Sequence, residues 1–353
     1  MSATFNRGYA LLIGVGGNLP CTITDAKGIQ EILVDPLRCA YPPENVRVLT
    51  EQDATANRIR GELKRLAVVV NAAQQQSTVI VYFSGHGWKV GNAFYLIPAG
   101  FNSDDLSQTA LEGGEFTSLL TAIRSERFLL LLDCCHAGEV EIPKTKGVQL
   151  IEQSLSPEIV EVFKNKHGRA LIASSTGEEN SLCGRPYSAF TYSLLEAFCG
   201  MGNSKRDGFV RVSDLVTYVS QKVPAKTNDR QHPVVDFSRA DNFEVAYYGA
   251  GGTEVKPVPF DSFELVPSAD RTSTPASAPA PSTRVRNKLK ARGQEGMINF
   301  AGLKRSGVRR TFAPIDVDND VDVRGNRGEV NFVGVDETDS SGKPPSRAGK
   351  KGN

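Results

Sequence analysis

The sequence predicts an α/β protein built on a mostly parallel central sheet with flanking helices. Two observations predict it: short continuous apolar runs recur over residues 1 to about 250, and segments of helical period lie between them. The first run, Tyr9–Val15 (YALLIGV), is a strand. It follows one arginine but lacks the length and the small-residue cleavage pattern of a signal peptide. Val46–Thr50 is the second strand. Ala54–Ala72 then places Ile59, Leu63, Leu66 and Val70 on one helical stripe. Thr78–Ser84 (TVIVYFS) is the third strand, Glu115–Arg124 a helix with Phe116, Leu119, Leu120 and Ile123 inward, and Phe128–Asp133 (FLLLLD) the fourth strand. Arg169–Ser174 (RALIAS) is the fifth. Two helices follow, Ser188–Phe198 and Ser213–Val223, the latter with Ser213 as its expected N-cap.

Composition narrows the function classes. The 353 residues carry 41 Lys and Arg against 40 Asp and Glu, a formal charge of +1. That balance excludes a dominant nucleic-acid binder, which needs a clear basic excess. No apolar run approaches the roughly 18 residues of a membrane-spanning helix. The six cysteines, Cys21, Cys39, Cys134, Cys135, Cys183 and Cys199, show neither a disulfide framework nor Cys-x-x-Cys spacing. A reducing, cytoplasmic setting is expected, and structural zinc is not.

Organisation changes along the chain. Residues 139–168 read as a long loop with one helix near Pro157–Lys164. Residues 251–283 read as a linker, its Ser268–Thr283 part (SADRTSTPASAPAPST) rich in Pro, Ala and Ser. Arg284–Arg310 is basic and Asp316–Asp339 acidic. Gly296–Gly307 and Val330–Val335 have the makings of paired short strands, but so little apolar material does not hold an independent domain, and the 284–353 tail is expected to be largely disordered. Asp316, Asp318 and Asp320 have calcium-loop spacing, yet Val321 stands where that loop needs glycine and Arg327 where it needs glutamate.

Two places combine a buried strand's end with reactive side chains and glycines: Ser84-Gly85-His86-Gly87 and Asp133-Cys134-Cys135-His136-Ala137-Gly138. Ligands gather at the carboxyl ends of strands in open parallel sheets. A cysteine nucleophile needs a base to form thiolate, and imidazole serves at neutral pH. His86 and Cys135, 49 residues apart on strands expected to be neighbours, meet that need. Gly14-Val15-Gly16-Gly17 suggests a nucleotide loop only weakly, because Leu19 replaces the third glycine of that pattern.

These residues resemble the caspase-like cysteine peptidases, in particular the metacaspase and prokaryotic metacaspase-like (orthocaspase-type) branch. YFSGHG is similar to the family's histidine motif and DCCHAG to its cysteine motif. Further similarity lies in YALLIGV, Leu19–Ala26, YLIPAG at 95–100, ASSTGEENS at 173–181, SAFTYSLLEAF at 188–198, DGFVRVSDLVTYV at 207–219 and RQHPVV at 230–235. The resemblance covers about residues 8–248. It implies a caspase-like three-layer sandwich over 1–250, with a large-subunit-like part (1–138), an intersubunit loop (139–168) and a small-subunit-like part (169–250).

The resemblance also implies roles. Cys135 matches the nucleophile, His86 the general base and later acid, and the N–H groups of Gly87 and Cys135 the oxyanion hole. Cys134 holds the motif's variable place and is expected to point back into the strand end; His136 is expected to be structural. Asp133 stands where aspartate-cutting caspases have glutamine, and Asp25 matches the second acidic pocket residue of metacaspases. Two carboxylates favour a guanidinium or ammonium, so protein or peptide substrates with Arg or Lys at P1 (the residue before the cleaved bond) are expected. The alternatives are an N-cap role for Asp25 and a strand-end role for Asp133.

The resemblance further implies a zymogen. Lys144, Lys146, Lys164, Lys166 and Arg169 lie in or beside the intersubunit loop, with Lys144 and Lys146 the candidate autocleavage sites. No cofactor is required for the chemistry, but calcium is a possible activator, with Asp104 and Asp105 its weak candidate ligands. Trp88 either lines a subsite or anchors a loop. The tail suits a regulatory partner or activating protease, or self-inhibition through Val308-Arg309-Arg310. A different peptidase specificity and a non-catalytic recruitment module are the competing readings.

Overall fold

The computed structural model describes residues 4–73, 76–90, 93–134, 150–152, 159, 163, 167–175, 179, 181–203, 205–236 and 242–266. It also describes strand backbone at 283–292, 298–301, 304–306, 315–324, 330–333 and 336–338. The chain forms two units, Met1–Ala269 and Asp270–Asn353.

In the first unit, the expected strands form one sheet. β1 (Gly8–Gly14) lies between β2 (Val46–Thr50) and β3 (Thr78–Val90), and β6 (Arg127–Cys134) and β8 (Arg169–Ala173) extend it in parallel. β11 (Val234–Asp236) closes the edge antiparallel to β8. The chain leaves β1 for β2 on one side and returns as β3 on the other, so the strand order reverses at β1 and β3. A crevice forms at such a reversal.

Strand alternation makes three layers. Leu12, Ile80, Tyr82, Leu129 and Ile172 face one core with α1 (Cys21–Val34), while α5 (Ala189–Phe198) and α6 (Val212–Lys226) add Phe190, Leu194, Leu215 and Val219. Leu11, Ile13, Val81, Phe83 and Leu130 face the other core, covered by α2 (Ala56–Ala72) and α4 (Gly113–Ala122). These two apolar layers supply the main driving force for the fold.

Local chemistry sets the boundaries. Thr55 caps α2 by accepting the Arg58 N–H at 3.4 Å. Ser188 caps α5 by accepting the Thr191 N–H at 3.0 Å. Ser213 is not the cap of α6, contrary to expectation: Arg211 holds that place, and the Asp214 carboxylate accepts its N–H at 2.9 Å. Nor does Thr78–Ser84 end at a turn. β3 leaves the parallel sheet after Gly85 and runs on through His86 and Gly87 against β4 (Ala93–Ile97), which also pairs β5 (Leu111–Glu112). β7 (Leu150–Glu152) covers its other side.

Gly14 is demanded by packing rather than by a nucleotide: a Cβ there would collide with the Thr22 carbonyl of α1. Gly14→Ala is therefore expected to cost about 1–3 kcal/mol, read as a lower midpoint in urea at unchanged slope.

The cysteines differ from expectation. Cys21, the first residue of α1, is bonded to Cys183 across 162 positions of sequence. Helix packing brings them together, so no spacing pattern announces the pair. Cys39, Cys134 and Cys199 are free and buried.

Past residue 250 the chain still packs on this unit. β13 (Glu264–Leu265) pairs β9 (Gly184–Arg185), Phe260 meets Tyr187 at 4.9 Å, and Phe263 meets Tyr192 at 5.6 Å. The linker expected from residue 251 thus starts no earlier than Val266, because these aromatic rings find apolar partners. A separate pair, β10 (Phe209–Arg211) with β12 (Glu244–Tyr247), flanks α6.

Among the described residues, the second unit holds three two-stranded parallel sheets: β14 (Thr283–Arg292) with β17 (Ile315–Arg324), β15 (Ile298–Ala301) with β18 (Val330–Val333), and β16 (Lys304–Ser306) with β19 (Asp336–Thr338). The β15–β18 pair joins the two segments the sequence marked for pairing.

Candidate active site

His86 stands where β3 passes from the parallel sheet to its antiparallel extension, in register with Ile97. Its side chain is buried, and Nε2 lies 3.1 Å from Oδ1 of Asn18, in the turn after β1. An amide oxygen only accepts, so in neutral His86 this contact puts the proton on Nε2. His86 borders a cleft of about 760 Å³ at the strand-order reversal, lined also by Val15, Gly16, Asn18 and Trp88.

Trp88 borders this cleft, and its ring packs edge-on against Phe101 at 5.0 Å.

Cys135 lies outside the described residues, but its neighbour does not. Cys134 ends β6 in register with Gly85, the residue before His86. Cys134 itself is buried among Leu132, Phe83 and the rest of the second core. Burial, and then Asp133, push its thiol well up, so it stays protonated and inert.

The two predicted acidic residues come together. Asp133 is in register with Ser84, and Asp25 projects from α1. Both are fully buried. Ser188 links them: its N–H donates to Asp25 Oδ1 at 2.8 Å and its hydroxyl to Asp133 Oδ2 at 2.7 Å. Ser181 donates to Asp133 Oδ1 at 2.5 Å, and Gln231 holds Ser181 from behind at 3.2 Å. Among the described residues, Asp25 Oδ2 has no hydrogen-bond partner. Burial, then the neighbouring Asp133, push the Asp25 carboxyl well above the usual carboxylate range. Asp25 is not an N-cap, since α1 begins at Cys21 and Asp25 lies one turn inside it. Such an arrangement can hold a cation, which would relieve the crowding of two carboxyl groups.

Ser181, Ser188 and Gln231 are site residues that sequence reasoning placed only within matched segments. Their signal is three-dimensional: hydroxyl and amide groups converging on Asp133.

The other candidates separate. Gly87 continues β3 opposite Leu96. Asp105 caps the short helix α3 (Leu106–Thr109), accepting from Gln108 N–H at 3.3 Å. Among the described residues, no three His, Cys, Asp or Glu gather into a metal-sized group. Lys144, Lys146, His136, Lys164 and Lys166 lie outside the described residues, as does the pseudosubstrate candidate 308–310. Arg169 is no processing site: it is buried in β8, donating to the carbonyls of Ile123 at 2.8 Å and Leu120 at 3.3 Å, with its guanidinium 4.7 Å from the Phe128 ring centre. Of the expected 157–164 helix, Ile159 and Phe163 are described; both are helical and buried.

The sequence matches the caspase domain family over residues 7–244. The chain belongs to that family of cysteine-type peptidases. A crystal structure of a Geobacter sulfurreducens protein is similar at 17% identity and a TM-score of 0.42, covering 65% of this chain and 92% of that one. No curated protein matches.

Proposed function

We propose that this protein is a cysteine endopeptidase that cuts after Arg or Lys through a Cys135–His86 dyad. The observation that carries the reading is the register of Gly85 with Cys134: the residues that precede His86 and Cys135 in the sequence pair across neighbouring strands.

In this mechanism His86 takes the Cys135 thiol proton. The thiolate attacks the scissile carbonyl carbon, and the N–H groups of Gly87 and Cys135 receive the developing oxyanion. Collapse of that intermediate breaks the C–N bond as His86 protonates the leaving amine. Water, deprotonated by His86, then hydrolyses the thioester and restores the thiol. Asp25 and Asp133 receive the P1 cation.

Asn18 acts as a positioning residue for His86. Asn18→Ala is expected to lower kcat by roughly 10-fold with little change in KM. Asn18→Asp, which places a carboxylate against Nε2, should recover much of that loss and move the rising limb of the kcat/KM profile to higher pH. Equal loss in both variants with unmoved pH limbs would contradict the role.

Zymogen processing at Lys144 or Lys146 and calcium as an activator complete the proposal; an unchanged mass in active enzyme would contradict the processing. The dyad is tested with a peptide halomethyl ketone ending in Arg. It should alkylate Cys135, found by peptide mapping, only while His86 is intact. Labelling at Cys134, or equal labelling by a probe ending in Asp, would contradict the reading.

A further inference from the structure

The three parallel pairs of the second unit share one offset. Thr283 pairs Ile315, Ile298 pairs Val330, and Lys304 pairs Asp336, each 32 residues apart. The sequences at that offset are copies of each other. RGQEGMINFAGL at 292–303 stands over RGNRGEVNFVGV at 324–335. Asn287 pairs Asn319, Asn299 pairs Asn331 and Phe300 pairs Phe332, so like stands on like. The tail is a tandem repeat, and the described strands of its two copies pair in register.

The copies differ chiefly in charge. The register pairs are Arg284–Asp316, Arg286–Asp318, Lys288–Asp320 and Lys290–Asp322 in β14–β17, then Lys304–Asp336 and Arg305–Glu337 in β16–β19. In each of these pairs the first copy is basic and the second acidic. Arg292–Arg324 is the one like-charged pair among the described strands. In-register stacking of identical copies would oppose like charges at every such position, which is unfavourable. Division into a basic and an acidic copy removes that opposition within one chain.

The same division acts between chains. Each sheet has two strands, so every strand keeps one edge unpaired among the described residues. Unpaired strand edges are templates for further strands. The acidic copy's open edge presents the partner that a basic copy takes, and the basic copy's open edge presents the reverse.

We propose that the 283–338 repeat is a self-assembly module: the acidic copy of one chain stacks in register on the basic copy of the next. A two-fold dimer is excluded by the charges, because it sets basic on basic or acidic on acidic. The head-to-tail contact does not close on itself, so it generates an open series in which each chain adds two layers, about 9–10 Å along the stack.

The experiment uses the full chain carrying Cys135→Ala, so that no self-cleavage alters it, and reads size by sedimentation velocity across protein and salt concentration. The expected result is a series that lengthens with concentration and shortens with salt. Asp316→Lys/Asp318→Lys/Asp320→Lys/Asp322→Lys makes both copies basic and should raise the concentration needed for assembly by ~10-fold or more. Arg284→Asp/Arg286→Asp/Lys288→Asp/Lys290→Asp makes both acidic and should do the same. Mixing these two variants should restore assembly. Combining all eight changes exchanges the two copies' signs and should leave assembly intact, which separates charge pairing from loss of folding. A single species at every concentration, a dimer that never grows, indifference to the like-charge variants, or assembly that requires added nucleic acid would each overturn the proposal.

Discussion

Cys135→Ala is expected to abolish peptide hydrolysis, lowering kcat by at least ~10⁴-fold while leaving the thermal midpoint within a degree or two. His86→Ala should cost a similar factor, and the double variant little more, because nucleophile and base act as a unit. The adjacent thiol is the built-in control. Cys134 is buried in the second core with its thiol pushed well up, so it offers no thiolate to a substrate. Cys134→Ala is expected to retain turnover and lose some stability to the cavity it leaves. Hydrolysis that survives in Cys135→Ala and vanishes in Cys134→Ala would reverse the assignment.

The second large effect concerns the acidic pair. Asp25→Asn and Asp133→Asn are each expected to lower kcat/KM for Arg-ending peptides by about 10²–10³-fold, the cost of removing one partner from a buried charge pair. The two variants should part company in stability. Asp133 accepts from Ser181 and Ser188, whereas one Asp25 oxygen accepts nothing among the described residues, so Asp133→Asn breaks hydrogen bonds that Asp25→Asn does not. The Asp25 carboxyl is raised by folding. A raised carboxyl contributes stability below its unfolded pKa and loses it as pH rises through the folded value. Asp25→Asn should therefore melt higher than the wild type at pH 8 and close to it at pH 4. Wild-type KM for Arg peptides should rise as pH falls through that same elevated value, because protonated Asp25 offers a cation no charge. A lower midpoint for Asp25→Asn at pH 8 would contradict the electrostatic account.

What was legible in the sequence was what depends on local pattern. Apolar runs such as FLLLLD have one fate in a layered fold, and the stripe Ile59, Leu63, Leu66 and Val70 has one face to bury. The SGHG and DCCHAG motifs marked strands that do lie side by side. What was not legible depends on partners distant in sequence. The Cys21–Cys183 bond follows from α1 packing near the segment before α5, and neither cysteine has a telling neighbour. β3 runs past Ser84 because β4 and β7 satisfy its backbone groups, a fact about other segments. Asp214, not Ser213, serves the start of α6 because the helix begins earlier than its apolar stripe suggests. The 32-residue repeat is a different case: its signal was in the sequence, but the opposite charges of its copies hide a likeness that resides in their glycines, asparagines and apolar positions.

The central claim, a Cys135–His86 peptidase with an acidic P1 site, is tested most directly by hydrolysis of matched fluorogenic peptides ending in Arg, Lys or Asp. Wild type is run beside Cys135→Ala, each with and without calcium. The account predicts turnover after Arg and Lys that vanishes in Cys135→Ala, with no turnover after Asp. Turnover after Asp, or cleavage that persists without the Cys135 thiol, would contradict it.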